Sequence, residues 1–100
     1  MEVTLLYFDD CPNWRVADEH LRSLQPELGF DLRHRLVESP EDADELGFRG
    51  SPSIAVDGAD LFAAEDQPIG LSCRIYQTPE GPAGSPTVEQ IATALRARQG

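Results

Sequence analysis

The sequence predicts an α/β protein with a central mixed sheet flanked by helices, in the order β-α-β-α-β-β-α, with an extended loop over about 63–84. Three observations predict it. An apolar run rich in β-formers, Val3-Thr4-Leu5-Leu6-Tyr7-Phe8, opens the chain. Trp14, Ala17, Leu21, Leu24 and Leu28 then recur at spacings of three and four, which is one face of a helix. Asp57-Gly58 marks a tight turn after a short apolar segment. One hundred residues are the length of a single domain, spanning 1–100.

The first strand lacks polar alternation, so it is expected to be covered on both faces. The first helix is expected over about 12–25. Pro12 suits its first position, and Pro26 and Gly29 help stop it. From Phe30 to Val37 the pattern alternates, with Phe30, Leu32, His34 and Leu36 opposite Asp31, Arg33 and Arg35. That is a half-exposed strand. Ser39-Pro40-Glu41-Asp42 reads as an N-cap, a first-position proline and an acidic first turn. The short helix it opens runs to Leu46 and ends at Gly47. Ser53 to Val56 is the third strand, with an antiparallel return beginning near Leu61-Phe62. Within 63–84, Leu71 to Tyr76 reads as a turn or short edge strand. Ser85-Pro86 opens the last helix, with Ser85 as its cap and Val88, Ile91, Ala92 and Leu95 on its inner face.

Composition narrows the function classes. Eighteen acidic residues against eight basic give a formal charge of −10, which disfavours nucleic acid and anionic membranes. All eight basic residues are arginines, and the absence of lysine excludes a lysine Schiff base. No apolar run approaches the ~20 residues of a membrane span. The N-terminus does not read as a signal peptide, so the cytoplasm is the expected location. Two cysteines do not make a secreted disulfide framework.

The stretch Leu5-Leu6-Tyr7-Phe8-Asp9-Asp10-Cys11-Pro12-Asn13-Trp14 places a cysteine between a strand and a helix. Arg49-Gly50-Ser51-Pro52-Ser53-Ile54-Ala55-Val56-Asp57-Gly58 places a proline just before a strand. Together with the amphipathic last helix, these features resemble the thioredoxin-like proteins, over roughly 1–62 and 85–98. The chain is most similar to small bacterial members. Some of their relatives carry labels invoking organomercury lyase, but no lyase site matches here residue by residue. The resemblance implies that Cys11 holds the nucleophilic position and that Pro52 is the usually cis proline of the substrate platform. The resolving position, three residues after Cys11, is Trp14. The Cys-x-x-Cys motif is degenerate, and the ordinary local dithiol cycle is excluded.

Cys11 and Cys73 are therefore the candidate catalytic residues, and Trp14, Ser51 and Pro52 the candidate substrate contacts. A thiolate at a helix N-terminus is favoured by unpaired amides and the helix dipole, while Asp9 and Asp10 oppose it. Arg15 helps if it folds back. The plainer reading of Cys11 is a structural cysteine. Cys73 is a remote resolving cysteine if 63–84 folds across the helix terminus; its alternatives are packing in a short strand or metal ligation. Trp14 and Tyr7 border a groove or pack in the core. Arg49 meets an anionic ligand or an acidic neighbour. No cofactor is expected. Cys11, Cys73, His20 and His34 show no close ligand spacing, so no metal site is expected unless the cysteines converge on a soft ion. The expected function is thiol–disulfide exchange with a protein or small-molecule thiol or disulfide. The alternatives are a noncatalytic thioredoxin-like binding module and a thiol protein handling soft metal or organomercury.

Overall fold

A computed structural model describes residues 1–62 and 67–99. Strand β1 (Glu2–Tyr7) pairs in parallel with β2 (Asp31–Leu36), from Glu2 opposite Asp31 to Tyr7 opposite Leu36. Its other edge pairs antiparallel with β3 (Ser53–Val56), which in turn pairs with β4 (Ala59–Asp60). The sheet is mixed and four-stranded, in the order β2-β1-β3-β4. Helix α1 (Trp14–Leu28) links the two parallel strands, and α2 (Pro40–Leu46) links β2 to β3. A hairpin of β5 (Tyr76–Thr78) and β6 (Gly81–Ala83) precedes α3 (Val88–Gln99).

β1 is covered on both faces. Its alternate residues Val3 and Leu5 enter a core with Ala17 and Leu21 of α1, Ile54 and Val56 of β3, and Ile91 and Leu95 of α3. Leu6 points the other way, to Val37, Ala43 of α2 and Phe48. Helices α1 and α3 thus cover one face and α2 the other. Helices α1 and α3 are stabilised by burying a stripe (Ala17, Leu21 and Leu24; Ile91, Ala92 and Leu95) rather than by propensity alone, whereas α2 buries only Ala43.

Several boundaries differ from the sequence expectation. Helix α1 starts at Trp14, because Pro12 and Asn13 form a preceding turn in which the Arg15 amide donates to the Pro12 carbonyl. Pro26 does not stop it. The helix runs to Leu28 and closes with Gly29 at φ 64°, whose amide donates to Gln25 over 2.8 Å. Asp57 (φ 50°) and Gly58 (φ 90°) form the tight hairpin turn, so the return strand begins at Ala59 rather than Leu61. The region expected as an extended loop contains the β5–β6 hairpin; residues 63–66 of it lie outside the described residues. The cap of α3 is Thr87, not Ser85. The Thr87 hydroxyl accepts from the Gln90 amide (3.1 Å), and the Gln90 side chain accepts from the Thr87 amide (2.9 Å). Ser85 donates to the Pro86 carbonyl instead. The N-cap of α2 is as expected, with the Ser39 hydroxyl accepting from the Asp42 amide.

Candidate functional site

The end of β1 delivers Cys11. After Tyr7 the chain turns tightly, with the Cys11 amide donating to the Phe8 carbonyl over 3.0 Å, and Cys11 is fully buried just before α1. The entry to β3 delivers the opposing loop. Gly50 has φ 111°, and the Ser51–Pro52 peptide is cis, as the resemblance implied. The Cys11 Sγ lies 3.6 Å from the Ser51 carbonyl oxygen.

The segment around Cys73 lies against this loop as a fragment of parallel strand. The Ser51 amide donates to the Ser72 carbonyl (2.7 Å), and the Arg74 amide donates to the Ser51 carbonyl (2.9 Å). This pairing brings Cys73 to a Cα separation of 5.8 Å from Cys11, inside the range a disulfide spans, and the two are bonded. Cysteines 62 positions apart in sequence thus meet through backbone pairing at Ser51. The residues at the two ends of the bond sit differently: Cys11 is buried and Cys73 is exposed.

Arg74 fastens the segment from beneath. Its side chain is only 2% exposed, and its guanidinium donates to the Ser53 hydroxyl (3.1 Å), the Asp60 carboxylate (2.9 Å) and the Phe62 carbonyl. It also stacks 4.8 Å over the Tyr76 ring. Burial pushes the Tyr76 hydroxyl well above its ordinary range despite the neighbouring Arg74 charge, so it stays protonated and donates to the Pro52 carbonyl. The approach is close enough that a Cβ at Gly50 would lie 3.0 Å from the Arg74 Cβ. The Ser51 hydroxyl is buried with no hydrogen-bond partner among the described residues.

Of the residues singled out in the sequence, Cys11, Cys73, Ser51 and Pro52 come together. Trp14 instead packs on Tyr7, with ring centroids 4.5 Å apart, and Arg15 lies over the Trp14 ring rather than folding back on the thiol. Asp9 and Asp10 are exposed. Arg49 donates to the Gln67 carbonyl. His20 donates from Nδ1 to the Pro86 carbonyl, and His34 pairs with Asp18. Among the described residues, no group of three or more His, Cys, Asp or Glu is arranged to hold a metal ion, and no helix is long and apolar enough to cross a membrane.

Sequence reasoning missed Arg74 and Tyr76. The stretch Leu71 to Tyr76 read only as a turn or short edge strand, with no inward face assigned; the signal was the alternation Cys73-Arg74-Ile75-Tyr76. Arg74 and Tyr76 point inward, and Ile75 is 61% exposed. A cavity of about 400 Å³, lined by Leu6, Arg33, Arg35, Leu46 and Phe48 among others, lies on the α2 face of the sheet and includes neither cysteine. No family model, curated protein or solved structure matches the chain.

Proposed function

We propose that this chain is a thiol–disulfide exchange protein of thioredoxin-like architecture, resembling small bacterial members of that class and working through Cys11 and Cys73. The observation that carries the reading is the Cys11–Cys73 bond, which joins the strand-to-helix junction to a segment paired with the loop before β3. Supporting it are the order of elements, the parallel β1–β2 pair and the antiparallel β3 and β4. Cys73 supplies the second sulfur that position 14 lacks. In the reducing direction, the two thiols pass two electrons and two protons to a substrate disulfide and become the internal disulfide. An external thiol then restores them. In the cytoplasm expected from the sequence, such a bond cycles rather than serving as a permanent staple.

The test is turnover. Catalytic amounts of the protein are expected to accelerate the reduction of a model peptide disulfide by dithiothreitol, and Cys11→Ser and Cys73→Ser are each expected to abolish the acceleration. No acceleration by the wild type would leave the noncatalytic binding module, with the disulfide as a staple.

A second reading has its own observation. The two sulfurs converge, which is the condition for a two-thiolate site, and the described residues offer no cluster of three ligands. Once reduced, the pair suits a soft ion that accepts linear two-sulfur coordination, such as mercury(II). The reduced protein is then expected to bind one equivalent of mercuric ion in competition with a monothiol, and either serine variant to bind it more weakly. Equal binding by a variant would remove this reading.

A further inference from the structure

The geometry assigns the two sulfurs opposite tasks: Cys73 is the sulfur that exchanges with a partner, and Cys11 is the covered sulfur that opens and closes the internal bond. This inference rests on the exchange reading and reverses the roles that the position of Cys11 in the sequence suggests.

Access and retention of the segment carry it, and the surroundings of the departing sulfur bear on it. Cys11 is fully buried, whereas Cys73 is exposed. A thiolate attacks a disulfide along the S–S axis, from the side opposite the departing sulfur. Attack on Cys73 comes from the exposed side of the bond, but attack on Cys11 would have to come through the protein beneath it.

Cys11 precedes the 15-residue helix α1, so the thiolate released from it forms near the positive end of the helix. Cys73 leads into β5 and, among the described residues, adjoins no helix N-terminus. Burial and the Ser51 carbonyl oxygen 3.6 Å away oppose the Cys11 thiolate, and the helix end offsets part of their effect, so access rather than the departing sulfur directs attack to Cys73.

The Ser72 and Arg74 backbone bonds to Ser51, and the Arg74 bonds to Ser53, Asp60 and Phe62, do not involve the disulfide. They hold Cys73 beside Cys11 after the bond opens. The internal step then proceeds at a high effective concentration.

In the reducing direction the Cys73 thiolate attacks one sulfur of the substrate disulfide. The second substrate sulfur leaves as a thiolate and takes a proton from solvent. The Cys11 thiolate then attacks the Cys73 Sγ, forming the internal disulfide and expelling the first substrate sulfur as a thiolate, which takes a proton from solvent. In the reverse direction an external thiolate attacks the Cys73 Sγ, the internal bond breaks, and Cys11 departs as a thiolate.

The test uses the full chain and glutathione disulfide. With Cys11→Ser only Cys73 can react, and with Cys73→Ser only Cys11. Intact mass followed over time is expected to show Cys73 acquiring glutathione at least ~10-fold faster than Cys11. Adding Arg74→Met to Cys73→Ser should loosen the cover and speed the reaction of Cys11. Equal rates, or a faster Cys11, would overturn the assignment. Should a variant fail to fold, the oxidised wild type answers the same question. It is mixed with reduced glutathione, quenched in acid, unfolded and blocked with N-ethylmaleimide. Peptide mass mapping should then place glutathione on Cys73. Glutathione on Cys11 would overturn the assignment alone, whereas a folded wild type that exchanges at neither sulfur would remove the exchange reading with it.

Discussion

Arg74 is an ion buried for a positional purpose. An arginine removed from water costs several kcal/mol unless its donors are met, and here Ser53, Asp60 and Phe62 meet them. Removing it leaves those acceptors without their partner and unfastens the segment that carries Cys73. Arg74→Met is expected to lower the stability of the oxidised protein by about 2–4 kcal/mol, read by denaturant unfolding; the partial exposure of Asp60 keeps the figure below the full cost of breaking a buried pair. Arg74→Lys should recover less than half of the loss, because one ammonium cannot replace the planar fork. Asp18 offers a separate test. Burial raises its carboxyl pKa, but hydrogen bonds from His34 and Arg22 outweigh this and hold it below the ordinary value. A folded pKa below the unfolded one stabilises the protein above about pH 4, and that contribution fades as pH falls through the folded value. Asp18→Asn is therefore expected to be less stable than wild type by ~1 kcal/mol at neutral pH, with the gap closing on acidification. A gap independent of pH would show that the carboxylate charge is not what matters there.

Helix starts show what is legible in a sequence and what is not. Ser39-Pro40 announced α2 correctly because cap, proline and acidic turn all agree locally. Ser85-Pro86 offered the same signal and was wrong, since Thr87 and Gln90 complete a reciprocal box two residues later. Thr87→Ala is accordingly expected to cost about 1 kcal/mol in denaturant unfolding, and Ser85→Ala less. The equal or larger loss for Ser85→Ala would refute the assignment of the cap. β1 and β3 were legible because each buries an apolar face, as Val3, Leu5, Ile54 and Val56 do, and β2 through its alternation, whereas β4 (Ala59–Asp60) buries no apolar side chain and was placed two residues late. The β5–β6 hairpin was not, because Pro79, Gly81 and Pro82 resemble loop composition and its strands have only three residues each. At the site, Cys11 and the proline loop were visible as local motifs. The pairing of Ser51 with Ser72 and Arg74 was not, because it joins distant segments through backbone groups that every residue carries.

Across the whole molecule, one bond ties together elements far apart in the chain. Closing a loop of 62 residues removes chain entropy worth about 4 kcal/mol from the unfolded state. Two cores and the Arg74 network hold the same elements without it. Reduction is therefore expected to lower stability by up to about 4 kcal/mol while leaving a folded protein, read by denaturant unfolding with and without a reductant. That folded reduced state is what an exchange cycle requires and what a permanent staple does not need. The most direct measurement is a redox titration of the native protein in glutathione buffers, with thiols trapped and counted by intact mass while circular dichroism follows the fold. The expected result is a reversible two-electron conversion between the Cys11–Cys73 disulfide and the dithiol, with the fold retained in both forms. A disulfide that opens only when the protein unfolds, or that never re-forms, would contradict the exchange function.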